Sequence, residues 1–382
     1  MHLSSTLLSA IPLAIWIYLL VARGHFWRVR EEHPETKSLE HWPRVIAVVP
    51  ARNEAATISQ AVSSLTKQDY PGELSIIVVD DHSEDGTAAL AQQAANDAGA
   101  SQRVKIHSAS PLAPGWTGKL WALDQGVRVA AAQAPEYFWF TDADIEHAPE
   151  TLRRLVVLVQ EESLDLASLM VLLQAKTFPE RLLIPPFLYF FLMLYPPRWI
   201  ADPKASTAGA AGGCILLRRQ ALERIGGYAA IRGEVIDDCA LARAVKKTGG
   251  KIWMGLTRSS VSLRSYGTFA EIRDLIARTA FTQLHYSFVL LLATLLGLFV
   301  TYVLAWIYFF TLDDPGWLLA STAISIMTAT YGMTVRFYGL PWLWALTLPF
   351  AAIFYGYATF LSAVRYWLGR GAQWKGRSLA QK

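Results

Sequence analysis

The chain has 382 residues, of which 53% are hydrophobic and only 17% are charged. Because a soluble domain usually carries about 25% charged residues, this composition excludes a wholly soluble protein and a disordered one. Two cysteines exclude a disulfide framework and a four-cysteine zinc site, and a net charge of +4 is too small to indicate nucleic acid as a partner.

Charged residues divide the chain into a polar middle and two apolar ends. Asp, Glu, Lys and Arg are absent from residues 1–22, and between 286 and 364 they occur only at Asp313, Asp314 and Arg336. We therefore predict an N-terminal transmembrane anchor (1–24), a soluble domain (40–265), C-terminal membrane helices (285–364) and a basic tail (365–382).

The first apolar run is interpreted as an uncleaved anchor rather than a signal peptide. A signal peptide begins with basic residues, whereas Arg23, Arg28 and Arg30 follow the apolar run here. Basic residues also favour the cytoplasmic side of a membrane, so we expect the soluble domain to face the cytosol.

Three apolar stretches near the C-terminus have about the 20 helical residues that a bilayer requires: 286–311, 317–334 and 340–364. Three crossings would place the C-terminus outside, yet the tail is basic and lacks acids, which favours the cytoplasmic side. We therefore expect that either 317–334, which is rich in Ser and Thr, or the proline-interrupted 340–364 does not cross fully.

Another apolar segment, 182–200, lies inside the predicted soluble domain. Pro185-Pro186 and Pro196-Pro197 bracket a stretch too short to cross a bilayer. It is either a buried core helix or an amphipathic segment that lies in the membrane interface, and its aromatic residues favour the second interpretation.

Alternating strand and helix patterns from residue 44 onward predict an α/β domain with a mostly parallel sheet. We expect helices at 52–67 and 117–132, and strands at 44–50, 74–80, 104–107 and 137–141. In such sheets ligands bind beyond the carboxyl ends of the strands. Polar residues fall at these ends, namely Asn53, Glu54, Asp80, Asp81, Asp142 and Asp144.

The acids at the strand ends have two interpretations. Asp80 or Asp81 can accept hydrogen bonds from a nucleoside, and Asp142 with Asp144 offers the hard oxygen ligands that Mg²⁺ or Mn²⁺ prefers. Alternatively these are turn and cap residues, with Asp144 beginning a helix. His147 is the one histidine close enough in sequence to contribute a metal or phosphate contact.

Two further elements have the same ambiguity. Lys119 follows a glycine-containing loop at a helix start, where it either meets a phosphate or belongs to an ordinary helix entry. Asp237 and Asp238 open an amphipathic helix, where they either act as a general base for a hydroxyl or complement the helix dipole. Cys214, in a glycine-led strand, is expected to be a small buried hydrophobe rather than a nucleophile.

Taken in order, these elements resemble family 2 glycosyltransferases of the GT-A fold, a Rossmann-like nucleotide-sugar-binding domain. The apolar ends and the closing Trp374-Lys375-Gly376-Arg377 are most similar to the membrane enzymes associated with hopanoid biosynthesis. The matching pieces are Pro50-Ala51-Arg52-Asn53-Glu54, Val79-Asp80-Asp81-His82-Ser83-Glu84-Asp85-Gly86-Thr87, Gly118-Lys119, Asp142-Ala143-Asp144, Gly212-Gly213-Cys214 and Asp237-Asp238.

The resemblance implies a role for each matching residue. The nucleoside of the donor, for which a UDP-sugar is favoured, would be held by Pro50, Asn53, Glu54, Asp80 and Asp81, with Lys119 nearby. The diphosphate would bind Asp142 and Asp144 through Mg²⁺ or Mn²⁺. Asp238, beside Asp237, would be the base of an inverting transfer to a membrane lipid, with a hopanoid favoured, at the bacterial inner membrane.

One departure from the family pattern leaves alternatives open. Many relatives carry Gln-x-x-Arg-Trp after the base, whereas this chain has no Arg-Trp pair there, and Arg278 is our candidate for the cation that supports the leaving group. The missing pair weakens a second interpretation, a processive polysaccharide synthase. A third interpretation is a membrane scaffold that keeps the fold without catalysis.

Overall fold

The computed structural model describes residues 2–31, 39–370, 373–374 and 377–378. Most of the predicted tail beyond 370, including Lys375 and Gly376 of the closing motif, lies outside the described residues. The chain forms two compact units. We call Met1–Arg30, Ala175–Arg198 and Tyr266–Ala372 the helical unit, and Glu31–Gln174, Trp199–Ser265 and Gln373–Lys382 the sheet unit.

The secondary structure follows the predicted order of elements. The helices are α1 (His2–Val21), α2 (Ile58–Thr66), α3 (Thr87–Asp97), α4 (Gly118–Ala130), α5 (Thr151–Glu161), α6 (Phe178–Leu194), α7 (Pro197–Ala201), α8 (Arg219–Arg224), α9 (Asp237–Lys247), α10 (Phe269–Ala277), α11 (Ala280–Gln283), α12 (Phe288–Leu298), α13 (Leu304–Thr311), α14 (Gly316–Phe337) and α15 (Leu348–Trp367). The strands are β1 (Val45–Ala51), β2 (Leu74–Asp80), β3 (Val104–Ser108), β4 (Tyr137–Phe140), β5 (Ile145–His147), β6 (Leu166–Leu172), β7 (Ile215–Arg218), β8 (Ile252–Ser262), β9 (Gln373–Trp374) and β10 (Arg377–Ser378).

The sheet unit is built on an eight-stranded sheet in the order β3-β2-β1-β4-β7-β6-β8-β5. The first four strands are parallel, as predicted, and β1 is buried along its whole length because helices cover both faces. The other half is mixed, since β7 runs antiparallel to both β4 and β6 and β5 runs antiparallel to β8. The prediction of a mostly parallel sheet is therefore correct only for the half in which strands and helices alternate.

Helix α2 begins at Ile58, six residues later than predicted from Arg52. The backbone between β1 and α2 is not helical because Asn53 adopts a left-handed conformation with φ of 51°. The N–H groups of Asn53 and Glu54 then donate to side chains of the loop after β2. The segment is a loop rather than a first helical turn.

The described part of the helical unit contains three helices that are long and apolar enough to cross a membrane: Phe288–Thr311, Gly316–Phe337 and Trp342–Trp367. The first consists of α12 and α13 joined by a π-helical turn at Phe299–Val303. Leu8–Val21, within α1, is a shorter apolar helix. The predicted N-terminal anchor remains a prediction.

Residues 182–194 of the apolar segment predicted at 182–200 belong to α6, which runs without a break through Pro185 and Pro186, and the rest of the segment leads into α7. A capping box of Thr177 and Glu180 fixes its first turn. Within the helical unit Leu183 and Tyr189 are fully buried, which favours the core-helix interpretation over the interfacial one. The structure groups residues 175–198 with the apolar helices, not with the α/β sheet to which the sequence analysis assigned them.

Candidate active site

Reciprocal hydrogen bonds join the loop after β1 to the loop after β2. The N–H of Asn53 donates to Ser83 Oγ at 3.0 Å, and the N–H of Glu84 donates to Asn53 Oδ1 at 3.0 Å. The N–H of Glu54 donates to Thr87 Oγ1 at 2.8 Å. Asn53 and Glu54, predicted to bind the nucleoside, thus also hold together the two loops that frame its predicted site.

Asp80 and Asp81 lie at the end of β2, as predicted. Asp80 is 7% exposed; its Oδ2 accepts the N–H of Ser83 at 3.2 Å, while its Oδ1 is buried and has no hydrogen-bond partner among the described residues. Asp81 is fully buried, with the Arg52 guanidinium 3.8 Å from its carboxylate. A buried acceptor left without a donor is costly, so Asp80 is suited to accept an N–H or O–H of a ligand.

Lys119 lies between two of the predicted acids. Its Nζ is 2.8 Å from Asp142 Oδ1 and 3.3 Å from Asp237 Oδ2. Burial alone would lower the pKa of Lys119, but the two carboxylates outweigh burial and raise it, so the ammonium stays charged. The ordinary helix-entry interpretation is insufficient, because Lys119 connects the acids after β4 to those that open α9.

Asp238 is held by backbone donors rather than by a direct ion pair. Its Oδ2 accepts the N–H of Gly212 at 2.9 Å, and its Oδ1 accepts the N–H of Cys239 at 2.7 Å. Burial and the neighbouring Asp237 raise the pKa of Asp238 to about 6, against the opposing effects of Lys119 and the two N–H groups. A carboxylate with this pKa is ionised at neutral pH and basic enough to accept a proton.

A side chain at Gly212 would crowd two charged groups of the cluster. A Cβ at this position would lie 3.1 Å from Lys119 Nζ and 3.5 Å from Asp238 Oδ2. The glycine predicted to open a pocket-lining strand therefore lets the backbone approach both groups.

Asp144 is paired with an arginine that sequence reasoning missed. Arg264, just after β8, places Nε 3.2 Å from Asp144 Oδ2 and donates Nη2 to both carboxylate oxygens of Glu54 at 2.9 and 3.1 Å. Burial and the neighbouring Asp142 raise the pKa of Asp144 to about 6, with Arg264 opposing them. Because Asp144 precedes a strand, β5, the alternative that it caps a helix is wrong.

The carboxylates of Asp142 and Asp144 suit a divalent cation only in part. The described residues include no group of three or more His, Cys, Asp or Glu side chains arranged to hold a metal. Mg²⁺ and Mn²⁺, however, commonly bind one or two carboxylates and take phosphate oxygens and water for the rest. Asp142 and Asp144 are separated by one residue after β4, and Asp142 is among the causes that raise the pKa of Asp144, so the pair fits an ion that also contacts a diphosphate.

A small cavity lies beside this cluster. Pro50, Lys119, Asp142 and Asp238 contribute to its wall, which places the predicted Pro50 with the predicted acids. Tyr228, also in the wall, has a pKa raised first by burial and then by the nearby acids, so its hydroxyl stays neutral. The cavity wall thus combines charged side chains with an aromatic one.

Three other residues singled out in the sequence lie outside this cluster. His147 is buried between the hydroxyls of Thr141 and Ser260, each at 2.8 Å, and burial lowers its pKa to about 3, so it is a structural residue. Burial raises the pKa of Cys214 to about 12, which agrees with the expectation of an unreactive thiol. Arg278 is an exposed residue of the helical unit, at the end of α10.

Residues 46–226 match the family model Glycosyl transferase family 2. The chain is similar to the mannosyltransferase PcManGT from Pyrobaculum calidifontis, solved with GDP-Man and Mn²⁺, at 19% identity and a TM-score of 0.56, over 94% of this chain and 99% of that one. At this identity the likeness shows the fold alone, and it confirms the GT-A type expected from the sequence.

Two further solved structures align with lower scores. S. aureus TarS 1–349 in complex with UDP-GlcNAc has 16% identity and a TM-score of 0.38, over 86% of this chain and 92% of that one. M. tuberculosis glucosyl-3-phosphoglycerate synthase has 23% identity and a TM-score of 0.37, over 62% of this chain and 78% of that one. No curated protein sequence matches this chain.

Proposed function

We propose that this protein is an inverting glycosyltransferase that moves one sugar from a nucleotide sugar to a hydroxyl group of a membrane lipid. The observation that carries the proposal is the arrangement around Lys119. Its ammonium contacts Asp142 and Asp237, which both line the cavity, and Asp238, with a pKa of about 6, lies beside it. The site therefore presents a donor side and a base within one cluster.

The donor would bind across the ends of β1, β2 and β4. Asp80 offers its unused oxygen to the base or ribose, in the loop frame built by Asn53 and Glu54. Asp142 and Asp144 would hold Mg²⁺ or Mn²⁺, which when bound offsets negative charge on the diphosphate. Arg264, paired with Asp144, replaces Arg278 as our candidate for the cation that supports the leaving group.

Asp238 would accept the proton of the acceptor hydroxyl as its oxygen attacks the anomeric carbon. The bond from that carbon to the diphosphate breaks on the opposite face, so a single displacement inverts the configuration and releases a nucleoside diphosphate. The N–H groups of Gly212 and Cys239 orient the carboxylate for this step. No covalent intermediate with the protein is needed.

The lipid acceptor and the location are proposed on different grounds. The apolar helices support a substrate that resides in the bilayer, and the resemblance favours a hopanoid as acceptor and a UDP-sugar as donor. Because one solved relative by fold carries GDP-Man, guanosine donors belong in the test. The basic residues after α1 support a bacterial inner-membrane protein whose sheet unit faces the cytoplasm.

The test uses the full-length protein in detergent with Mn²⁺ or Mg²⁺, radiolabelled UDP-sugars and GDP-mannose, and a total bacterial lipid extract. We expect label in the organic phase with the wild type and with Asp97→Asn, an exposed aspartate at the end of α3, but not with Asp238→Asn. Donor binding by the wild-type protein without transfer would favour the scaffold interpretation. Absence of donor binding would refute the proposed function.

A further inference from the structure

Residues 199–212 form a segment of the sheet unit that leads from α7 towards β7, and we call it the strap. Residues 201–204 of the strap are exposed, whereas Ala208, Ala210 and Ala211 are buried. The strap ends at Gly212, whose N–H donates to Asp238. The position of the strap thus bears directly on the proposed base.

Lys246, in the last turn of α9, is hydrogen-bonded to the strap. Its Nζ donates to the carbonyl oxygens of Trp199 at 2.9 Å, Ile200 at 2.8 Å and Thr207 at 2.7 Å. A lysine ammonium has three N–H donors, and all three are used on backbone atoms of this one segment. Because all three acceptors are backbone carbonyls, Lys246 holds the main chain of the strap directly and not through another side chain.

The C-terminal end of the strap is hydrogen-bonded to the first turn of the same helix. Gly212 donates to Asp238 at 2.9 Å, and the thiol of Cys239 contacts the carbonyl oxygen of Ala210 at 3.7 Å. Asp238 and Lys246 are eight residues apart, about 12 Å along the helix. The strap is therefore attached to α9 at both ends of the helix.

We infer that Lys246 is a positioning residue for the base: by fixing the strap to α9 it holds the Gly212 N–H on the carboxylate of Asp238. This inference rests on the proposed function. The charged groups that face Asp238 are Asp237 on the same helix and Lys119 from α4, and neither is changed in the test. Lys246 acts through the strap and contacts neither of them in the structure.

The test compares Lys246→Met with Lys246→Arg, which keeps donors for the carbonyls, and with Lys247→Met, the adjacent exposed lysine. We expect Lys246→Met to lower kcat at least tenfold at unchanged donor Kd. We also expect the acid limb of its kcat–pH profile to move to higher pH, because Asp238 loses a hydrogen bond to its ionised form. Lys246→Arg should recover most of kcat, and Lys247→Met should behave as wild type.

Amide hydrogen exchange keeps the inference testable if Lys246→Met folds poorly. In that case Lys246→Gln is used, and the Gly212 amide should exchange faster than in wild type while β1 and β2 stay protected. Wild-type kcat and pH profile in Lys246→Met or Lys246→Gln would overturn the inference but leave the proposed function intact. Absence of sugar transfer by the wild-type protein would overturn both.

A second observation, in the helical unit, concerns the third apolar helix. The rings of Phe288 and Trp367 are 6.1 Å apart, and Leu295 and Leu298 lie 3.5 and 3.7 Å from where a Cβ of Gly356 would be. Helix α15 therefore runs antiparallel to α12. Its last residues lie at the depth where the first candidate span begins.

The third candidate span does not begin at the end of the helical unit that is opposite to Trp367. A straight helix from Trp342 to Trp367 would place these residues about 37 Å apart. The ring of Trp342 instead packs on Gly332 of α14. At the start of α14, Trp317 packs on Phe309 of α13. Gly332 lies about 22 Å along α14 from Trp317. Residue 342 thus lies in the half of the helical unit that contains the end of α14.

We infer that residues 338–367 form a re-entrant hairpin that enters and leaves the membrane on the side where Phe288 begins. The backbone between its two arms is covered by protein, since Ala345, Leu348 and Ala351 are fully buried, which is the condition for a bend at membrane depth. The hairpin places the basic residues Arg336 and Arg365 at the same end of the helical unit. It also removes the conflict between three crossings and a basic C-terminal tail.

Cysteine labelling tests the hairpin, because both native cysteines are buried. Asp313→Cys and Arg370→Cys are treated with a membrane-impermeant maleimide in intact and permeabilised spheroplasts. The hairpin predicts that the two positions label from opposite sides. Labelling of both from the same side would establish a third full crossing and overturn this inference.

Discussion

Lowering the pH from 7 to 5 should slow sugar transfer at least tenfold. Asp144, whose pKa is also raised to about 6, contributes to this loss, but protonation of Asp238 alone slows transfer about tenfold. Burial and Asp237 raise its pKa from 3.8 to about 6. The carboxylate is then about 90% ionised at pH 7 and about 10% ionised at pH 5. With the ordinary pKa of 3.8 more than about 90% would remain ionised at pH 5, and the rate would hardly change.

Protonation of Asp238 should not itself unfold the protein in this range. A carboxyl group whose pKa is raised in the folded state binds its proton more tightly there than in the unfolded chain. Its contribution to stability is therefore fully present below pH about 4 and is lost as the pH rises through about 6. A slower rate at pH 5 thus reports the base and not loss of the fold through this group.

The assay measures initial rates at saturating donor and acceptor from pH 5 to 8 at constant ionic strength, with circular dichroism recorded at each pH. Asp238→Asn supplies the reference, because an amide cannot take the proton and general-base catalysis is worth about 10²- to 10⁴-fold. An unchanged wild-type rate between pH 7 and pH 5 would refute the reasoning. So would an Asp238→Asn variant that retains both its rate and the wild-type pH profile.

Four further substitutions separate the roles within the site. Asp144→Asn should weaken Mn²⁺-supported donor binding at least tenfold in calorimetry, and wild-type binding that EDTA leaves unchanged would contradict the metal role. Gly212→Ala should lower kcat, because its methyl group would lie 3.1 Å from Lys119 Nζ, and kinetics equal to wild type would show that the backbone can yield. Lys119→Met should weaken donor binding and also raise the pH at which the rate is half maximal, whereas an effect on donor affinity alone would confine Lys119 to the donor side. His147→Phe should leave donor Kd unchanged but destabilise the protein in urea by about 1–3 kcal/mol, because it removes the partner of two buried hydroxyls, and a changed donor Kd with normal stability would argue for a ligand role.

Local sequence patterns were sufficient for the parts of the site that lie directly after a strand. Asp80 follows a β-branched run and Asp142 follows an aromatic one, so their placement at one edge of the sheet needs only the parallel order of β2, β1 and β4. Asp238 was found in the same way, from the start of an amphipathic helix. Each of these predictions depends on a few neighbouring residues and on a general property of parallel sheets.

Contacts between distant segments were not predictable from one sequence. Arg264 is 120 residues from Asp144 and belongs to no motif around it, so only the pairing of β5 with β8 brings the two together. The same limit applies to β7, whose direction is set by the segment before it and not by its own residues. Pro185 and Pro186 were read as helix breakers, but tertiary packing in an apolar unit keeps α6 continuous through them.

The two cations of the site divide its carboxylates into two kinds. Asp142 and Asp144 each have a lysine or arginine within 3.2 Å. Because Lys119 also contacts Asp237 and Arg264 also contacts Glu54, these four carboxylates together keep a net negative charge, which a divalent cation would offset. Among the described residues, Asp238 has only backbone N–H groups in direct contact, which orient it, while burial and Asp237 raise its pKa. A donor site needs cations that can meet a diphosphate, whereas a base needs a carboxylate that still binds a proton near neutral pH. Lys119 serves both sides from one position, because it pairs directly with Asp142 and its charge also opposes the rise in the pKa of Asp238.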